Sequence, residues 1–219
     1  MKAMILAAGR GERLRPLTDS VPKPLVKINN KALIEYHIEK LVDIGIKDIV
    51  INIAWLGDRI IHRLGFGERW GVRFHYSREE VALETGGGIK QALPLLGDEP
   101  FLVINGDIFI DVLPTLPVLQ QDQQAYVWLV DNPFHHPKGD FCLIHDKVKA
   151  SGNSKLTFSG IGLYSPSLFA QCEDNAFPLG PLLREKMEQG VVSGEHMTTF
   201  WCDVGTIERL TELEKRLAG

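Results

Sequence analysis

No apolar run in this chain approaches the roughly 18 residues that cross a bilayer. Its start, MKAMILAAGRG, is apolar only over residues 3–8, which is too short for the core of a secretory leader and reads as a buried strand. Cysteine is scarce: there are 3, Cys142, Cys172 and Cys202, an odd number without a CxxC pair. That count excludes a disulfide framework and a zinc knuckle, and a reducing, cytoplasmic setting is expected. Basic excess is lacking as well. Lys plus Arg total 24 against 28 Asp plus Glu, a net charge of −4, whereas a general nucleic-acid binder needs a basic face for phosphates. No low-complexity tract and no internal repeat is found in the 219 residues.

What is present is the balance of an ordinary globular chain, 44% apolar and 24% charged, with enough length to bury a core unaided. Short apolar runs alternate with helical patterns. Strands are expected at 4–8, 48–54, 72–77 and 101–106, and helices at 31–44, 56–65 and 86–96, with residues 9–30 a long loop. Four such alternations predict βαβ crossovers and a parallel sheet with helices on both faces. Further strands are expected at 125–131, 141–145, 156–165 and 197–205, and helices at 180–189 and 206–217. No composition shift marks a boundary, so residues 1–219 read as one domain: a nucleotide-binding half, 1–110, and an acceptor half, 111–219.

Residues 9–31 carry Arg10, Arg13, Arg15, Lys23, Lys27 and Lys31 against only Glu12 and Asp19, a cationic island in an acidic chain. In open parallel sheets ligands bind beyond the carboxyl ends of strands, and this island directly follows the first one. Gly9 and Gly11 let backbone N–H groups approach a polyanion. Arg13 as a fork and Lys23 as a point charge neutralise phosphate oxygens. The Walker pattern GxxxxGK[ST] is absent, and GxGxxG fails at Leu14. Two aspartates, Asp107 after FLVING and Asp203 after MTTFWC, stand where strand ends deliver side chains to the same edge. Two carboxylates completed by phosphate oxygens and waters suit Mg²⁺. Three glycines, Gly86, Gly87 and Gly88, open a helix at an entropic cost that implies something close to the backbone.

The string LAAGRGERLRPLTDSVPKPLVKI, Leu6 to Ile28, resembles the signature LAAGxGTRLxPLTxxxPKPLxxI of the sugar-1-phosphate nucleotidyltransferases, with Glu12 where Thr is common. The resemblance implies an α/β, Rossmann-like three-layer sandwich around a mostly parallel, mixed sheet, the glycosyltransferase-A-like nucleotidyltransferase fold. It implies that Ala8, Gly9, Gly11, Glu12, Arg13 and Lys23 meet the nucleotide, with Arg13, Lys23 and Asp107 catalytic. Asp107 and Asp203, the latter in a DVGT segment, hold Mg²⁺. Glu80 (or Glu79), Thr85 and Gly88 lie at the base, where Glu84 replaces the usual Gly. Asn105, Gly139, Asp140 and Asn153 contact the acceptor.

The family's Glu-Lys-Pro-like sugar segment is replaced by Ser151-Gly152-Asn153-Ser154-Lys155. Asn153 in place of Glu favours an N-acetylated or substituted sugar. The ETGGGI segment and the lack of hexapeptide repeats resemble compact relatives that transfer UMP from UTP to N-acetylmuramic acid 1-phosphate in cell-wall recycling. Lys138, Lys155 and Asn153 are candidates for the lactyl carboxylate. The alternatives are guanylyl, thymidylyl or uridylyl transfer to mannose, glucose or N-acetylglucosamine 1-phosphate, or a non-catalytic sugar-nucleotide-binding subunit. Intact Arg13, Lys23, Asp107 and Asp203 argue against the last. A monomer that meets neither membrane nor nucleic acid is expected.

Overall fold

The computed structural model describes residues 1–218. Strand β1 (Ala3–Leu6) runs into three short 3₁₀ turns and the hairpin β2 (Lys27–Ile28) and β3 (Lys31–Ala32). Then come α1 (Leu33–Asp43), β4 (Asp48–Ile53), α2 (Gly57–Leu64), β5 (Arg73–Arg78), α3 (Glu84–Leu96) and β6 (Phe101–Asn105). They are followed by β7 (Ile108–Ile110), β8 (Ala125–Val130), β9 (Phe141–Ile144), β10 (Lys147–Lys149) and β11 (Lys155–Tyr164). The chain closes with α4 (Leu179–Glu188), β12 (Val192–His196), β13 (Trp201–Asp203) and α5 (Ile207–Ala218).

Among the described residues, nine strands form the central sheet in the order β5-β4-β1-β6-β11-β8-β12-β10-β9. The first four are parallel neighbours, and β11 is antiparallel to both β6 and β8. Two reversals restore direction, so β8 and its parallel neighbour β12 point the same way as β1. The carboxyl ends of β1, β4, β5, β6, β8 and β12 therefore share one edge, and the loops that follow them meet there.

Strand alternation sorts the core onto the two faces. Ile5, Ile51, Leu102 and Ile104 pack with Ile34 and Ile38 of α1. Met4, Val50 and Val103 pack with Ile89 of α3 and Leu183 of α4. A third cluster joins Leu14, Val26 and Ile28 of the cationic loop to Phe109, Val204 and Leu210 and Leu213 of α5. That cluster holds the loop and the DVGT segment together, although about 180 residues of sequence separate them.

The sequence expectations hold for the alternating half and depart elsewhere. Residues 9–30 fold into 3₁₀ turns and a hairpin whose turn places Asn29 and Asn30 at positive φ, so α1 starts at Leu33. Strand β12 carries no apolar signature. Its Ser193 and Gly194 are buried, and a Cβ on Gly194 would collide with the Val127 carbonyl. Close approach between neighbouring strands excludes the bulky residues that would have announced this one. The strand expected over 197–205 shortens to Trp201–Asp203, and β7 and β10 were not foreseen.

His37 on α1 is buried, its ring near the Ile108 backbone. Burial, reinforced by the Lys40 charge, lowers its pKa from 6.5 to about 4. The unfolded chain takes up that proton below its ordinary pKa, whereas the native ring resists until about 4. Stability from this group is therefore complete above the ordinary value and is lost as pH falls through that window, by about 3 kcal/mol. His37→Leu is expected to flatten that part of the acid slope. Urea midpoints above and below the window test it, and equal losses in both proteins would place the acid sensitivity elsewhere.

Candidate active site

At the exit of β1, the Ala7 N–H donates to Asn52 Oδ1 at 2.7 Å, which pins the loop's start to β4. Gly11 adopts φ +70°, and a Cβ there would stand 2.9 Å from Thr18 Cγ2 and 3.1 Å from Lys23 Cβ. Thr18 Oγ1 donates back to the Gly11 carbonyl at 2.8 Å. The loop thus closes over the Lys23 stem, and glycine at position 11 serves this closure as much as any ligand. The Lys23 side chain is only 10% exposed, and its Nζ stands 2.7 Å from Asp107 Oδ2.

A cavity of about 800 Å³ opens at this edge. Of the expected nucleotide residues, Ala8, Gly9, Gly11, Glu12, Arg13, Lys23, Glu80 and Thr85 line it, as do Asn105 and Asp107. The charges in the loop are unequally spent. Glu12 lies 2.9 Å from Arg10 and 3.2 Å from Arg15, and Arg15 also pairs with Asp19 at 2.7 Å. Among the described residues Arg13 has no carboxylate partner, so its cation faces the cavity unneutralised. Trp55 stands at the mouth with the Arg10 guanidinium 4.5 Å from its ring centroid.

Gly88 does not line the cavity. A Cβ there would lie 2.7 Å from Glu79 Oε1 and 3.0 Å from Asn52 Nδ2, two buried groups that hydrogen-bond at 2.7 Å. Gly86 and Gly87 donate their N–H groups to the Phe177 carbonyl at 2.9 and 3.1 Å. What approaches this glycine triplet is therefore the protein itself, the 175–177 segment and the Asn52–Glu79 pair. Glu79 also accepts from the Leu83 N–H at 3.2 Å, whereas Glu80 is exposed. Glu84, standing where the resemblance expects glycine, adopts φ +59° and lines the cavity. The Thr85 hydroxyl accepts the Leu179 N–H at 3.0 Å and so serves the start of α4.

Asn105 is set by a feature that sequence reading missed. Strand β11 bulges between Phe158 and Gly162. Gly160, at φ +81°, leaves the space that the Asn105 amide fills, 2.7 Å from where a Cβ would be. Trp201 Nε1 donates to the Ser159 carbonyl at 2.8 Å and holds the bulge. Bulges that re-aim a side chain recur beside active sites.

Asp107 and Asp203 come together because β13 pairs with β7 in a register that opposes Asp203 to Ile108. The Val204 N–H then donates to the Asp107 carbonyl at 2.7 Å. Among the described residues no three His, Cys, Asp or Glu side chains gather as a complete metal cage. The two aspartates still fit a hard cation completed by substrate oxygens. Lys23 takes Asp107 Oδ2, while His135 Nε2 at 2.9 Å and Arg209 Nη1 at 3.0 Å share Asp203 Oδ1. One oxygen of each carboxylate is left without a partner among the described residues. Gly205 has no Cβ to fill this space; one would stand 2.9 Å from Asp203 Oδ2 and collide with the Arg209 guanidinium. Burial pushes the neighbouring Cys202 thiol up to about 12, so it is no nucleophile at neutral pH.

His135 and Arg209 were not anticipated as partners of Asp203. The His135-His136 pair was visible in the sequence but is shared between two carboxylates rather than one metal. His136 Nε2 lies 3.1 Å from Asp140 Oδ1, and Asp140 Oδ2 accepts the Phe158 N–H at 2.9 Å. Gly139 sits at φ +60° against Asn132 and Lys155, and Asn153 lies in an exposed turn. These three expected acceptor residues stand outside the residues lining the cavity.

Residues 2–138 match the sequence profile of a family described as Nucleotidyl transferase. The chain is 49% identical to the N-acetylmuramate alpha-1-phosphate uridylyltransferase of Neisseria meningitidis serogroup B, across 100% of this chain and 99% of that protein. It is 34% identical to the protein of the same name from Caulobacter vibrioides, across 99% and 96%. A Bacillus anthracis structure assigned as a glucose-1-phosphate thymidylyltransferase superposes with a TM-score of 0.85 at 22% identity, over 99% of this chain and 94% of that one. At that identity the likeness speaks for the fold. The family match spans well over half the chain and the relatives align along all of it, so the protein belongs to the nucleotidyl transferase family, in the branch that acts on sugar 1-phosphates.

Proposed function

We propose that the protein transfers the uridylyl group of UTP to N-acetylmuramic acid 1-phosphate with Mg²⁺, releasing pyrophosphate and the UDP-sugar. The observation that carries the reading is one cluster of charges at the cavity's edge. Arg13, without a carboxylate partner among the described residues, and the buried Lys23 line the cavity together with Asp107, to which Lys23 is paired, while Asp203 lies outside the lining and is set beside Asp107 by the β7–β13 pairing. A triphosphate needs cations along its length, and a hard divalent cation would be held by carboxylate oxygens. The choice of base and sugar is supported by the two full-length relatives bearing that name.

An acceptor phosphate oxygen attacks the α-phosphorus in line; the new P–O bond forms as the α–β bridge breaks, and pyrophosphate carries off the electron pair. The attacking oxygen is already ionised at neutral pH, so no side chain must remove a proton. Asp107 and Asp203 would hold Mg²⁺, which would supply neutralisation of phosphate charge there. The Gly11 N–H, Arg13 and Lys23 orient and stabilise the triphosphate. Asn105 reaches the ribose or the sugar phosphate. Glu80, Glu84 and Thr85 border the base, with Gly88 behind them. Gly139, Asp140 and Asn153 border the sugar, and Lys138 or Lys155 meets its lactyl carboxylate. The same reading takes the protein as a monomer, and the nucleotide donor and free thiols support a cytoplasmic setting.

Pyrophosphate release should be measured with Mg²⁺ across UTP, dTTP, GTP, CTP and ATP. Each is paired with N-acetylmuramic acid, N-acetylglucosamine, glucose and mannose 1-phosphates. The expected result is turnover led by UTP with N-acetylmuramic acid 1-phosphate. Stronger turnover of another pair would replace the substrates and keep the chemistry. No turnover with any pair would overturn the reading.

A further inference from the structure

Asp203 is gripped from two other parts of the fold. The His135 imidazole, in the loop joining β8 to β9, brings Nε2 within 2.9 Å of Oδ1, and Arg209 of α5 donates to the same oxygen at 3.0 Å. Oδ2 makes no hydrogen bond among the described residues, and the room that Gly205 leaves beside it is taken by the Arg209 guanidinium, with Arg13 Nη2 close by. The loop around His135 is itself tied to β11, where the Asn132 amide donates to the Lys155 carbonyl at 2.9 Å and the Asp140 N–H donates to the Leu156 carbonyl at 2.8 Å. Phe134, the neighbour of His135, is fully exposed. The next residue, His136, contacts Asp140, which accepts the Phe158 N–H of β11.

We infer that His135 is a positioning residue: it holds Asp203 Oδ1 so that Oδ2 is offered to the metal, and it ties the acceptor-side loop to the metal-binding carboxylate. The inference rests on the reading of Asp203 as a metal ligand. Groups that orient a metal-ligating side chain are commonly worth 10- to 100-fold in metal affinity or activity. Adjacent histidines serving Asp203 and Asp140 make the loop a link between the cation and the sugar side. Loss of His135 therefore weakens metal binding and raises the acceptor KM, while the KM for the nucleotide changes little.

The test uses the full chain and Mn²⁺ as the probe, with free Mn²⁺ followed by its paramagnetic resonance signal in the presence of a non-hydrolysable UTP analogue and no acceptor. His135→Ala is expected to raise the half-saturating Mn²⁺ concentration about tenfold without lowering the melting temperature. His135→Gln, which keeps an N–H donor, recovers most of that loss and guards against a misfolded alanine variant. Asp203→Asn is the control for the underlying reading. If Asp203→Asn loses Mn²⁺ while both His135 variants bind it like wild type, the inference falls and the metal reading stands. If Asp203→Asn itself binds Mn²⁺ normally, the metal reading fails and the inference goes with it.

Discussion

Replacing Asp107 with asparagine is expected to lower kcat/KM on the order of a thousandfold, about 4 kcal/mol of transition-state stabilisation. The substitution keeps the size of the side chain, and the Val204 N–H bonds the backbone carbonyl at this position, so the junction of β7 and β13 survives. What is lost is a charge. On the proposed reading Asn removes one of the two anionic metal ligands, and it replaces the charged 2.7 Å partner of the Lys23 ammonium with a neutral amide. Rates measured against Mg²⁺ concentration should stay low at every concentration, because the variant lacks transition-state charge stabilisation and not merely metal occupancy. Recovery to the wild-type rate at saturating Mg²⁺ would overturn the assignment of Asp107 as a catalytic ligand.

Lys23→Ala is expected to cost a hundredfold or more in kcat/KM, about 3 kcal/mol. The Lys23 stem lies beneath Gly11 and its side chain is 10% exposed, so on the proposed reading the ammonium meets phosphate oxygens where little water screens it. Truncation also opens space under the loop, which alone would disturb Gly11. Lys23→Met separates the two effects, since it fills that space without charge. If Met restores the rate, packing is the role of Lys23; if Met is as poor as Ala, the charge is. The fold should survive both substitutions, because the Asp107 side chain is 36% exposed and water can solvate it once its partner is gone.

The cationic loop was legible because its chemistry is local. Gly9, Gly11, Arg13 and Lys23 fall within fifteen consecutive residues, and all four line the cavity. Asp107 was legible as lying just past the end of β6, whereas Asp203 ends β13, which pairs with β7 in a two-stranded sheet apart from the central one. The glycine triplet shows where local reading misleads. It was read as a surface for the base, whereas Gly86 and Gly87 admit the Phe177 carbonyl and Gly88 makes room for the Asn52–Glu79 pair. A missing side chain signals close approach, and it is silent on what approaches. Strand β12 was hidden for a related reason: Ser193 and Gly194 are small because neighbouring strands crowd them.

By itself the sequence determined the class of fold and singled out the cationic loop and both aspartates as candidates, because strand–helix periodicity and local charge depend on near neighbours. Only the tertiary structure decided how those carboxylates are held. The β7–β13 pairing sets Asp203 beside Asp107, and α5 and the loop after β8 supply Arg209 and His135 to one oxygen. The bulge at Gly160 makes room for Asn105 from a strand some fifty residues away. These contacts join residues distant in sequence whose types are common. Their pairing exists only once sheet register brings them within hydrogen-bonding distance.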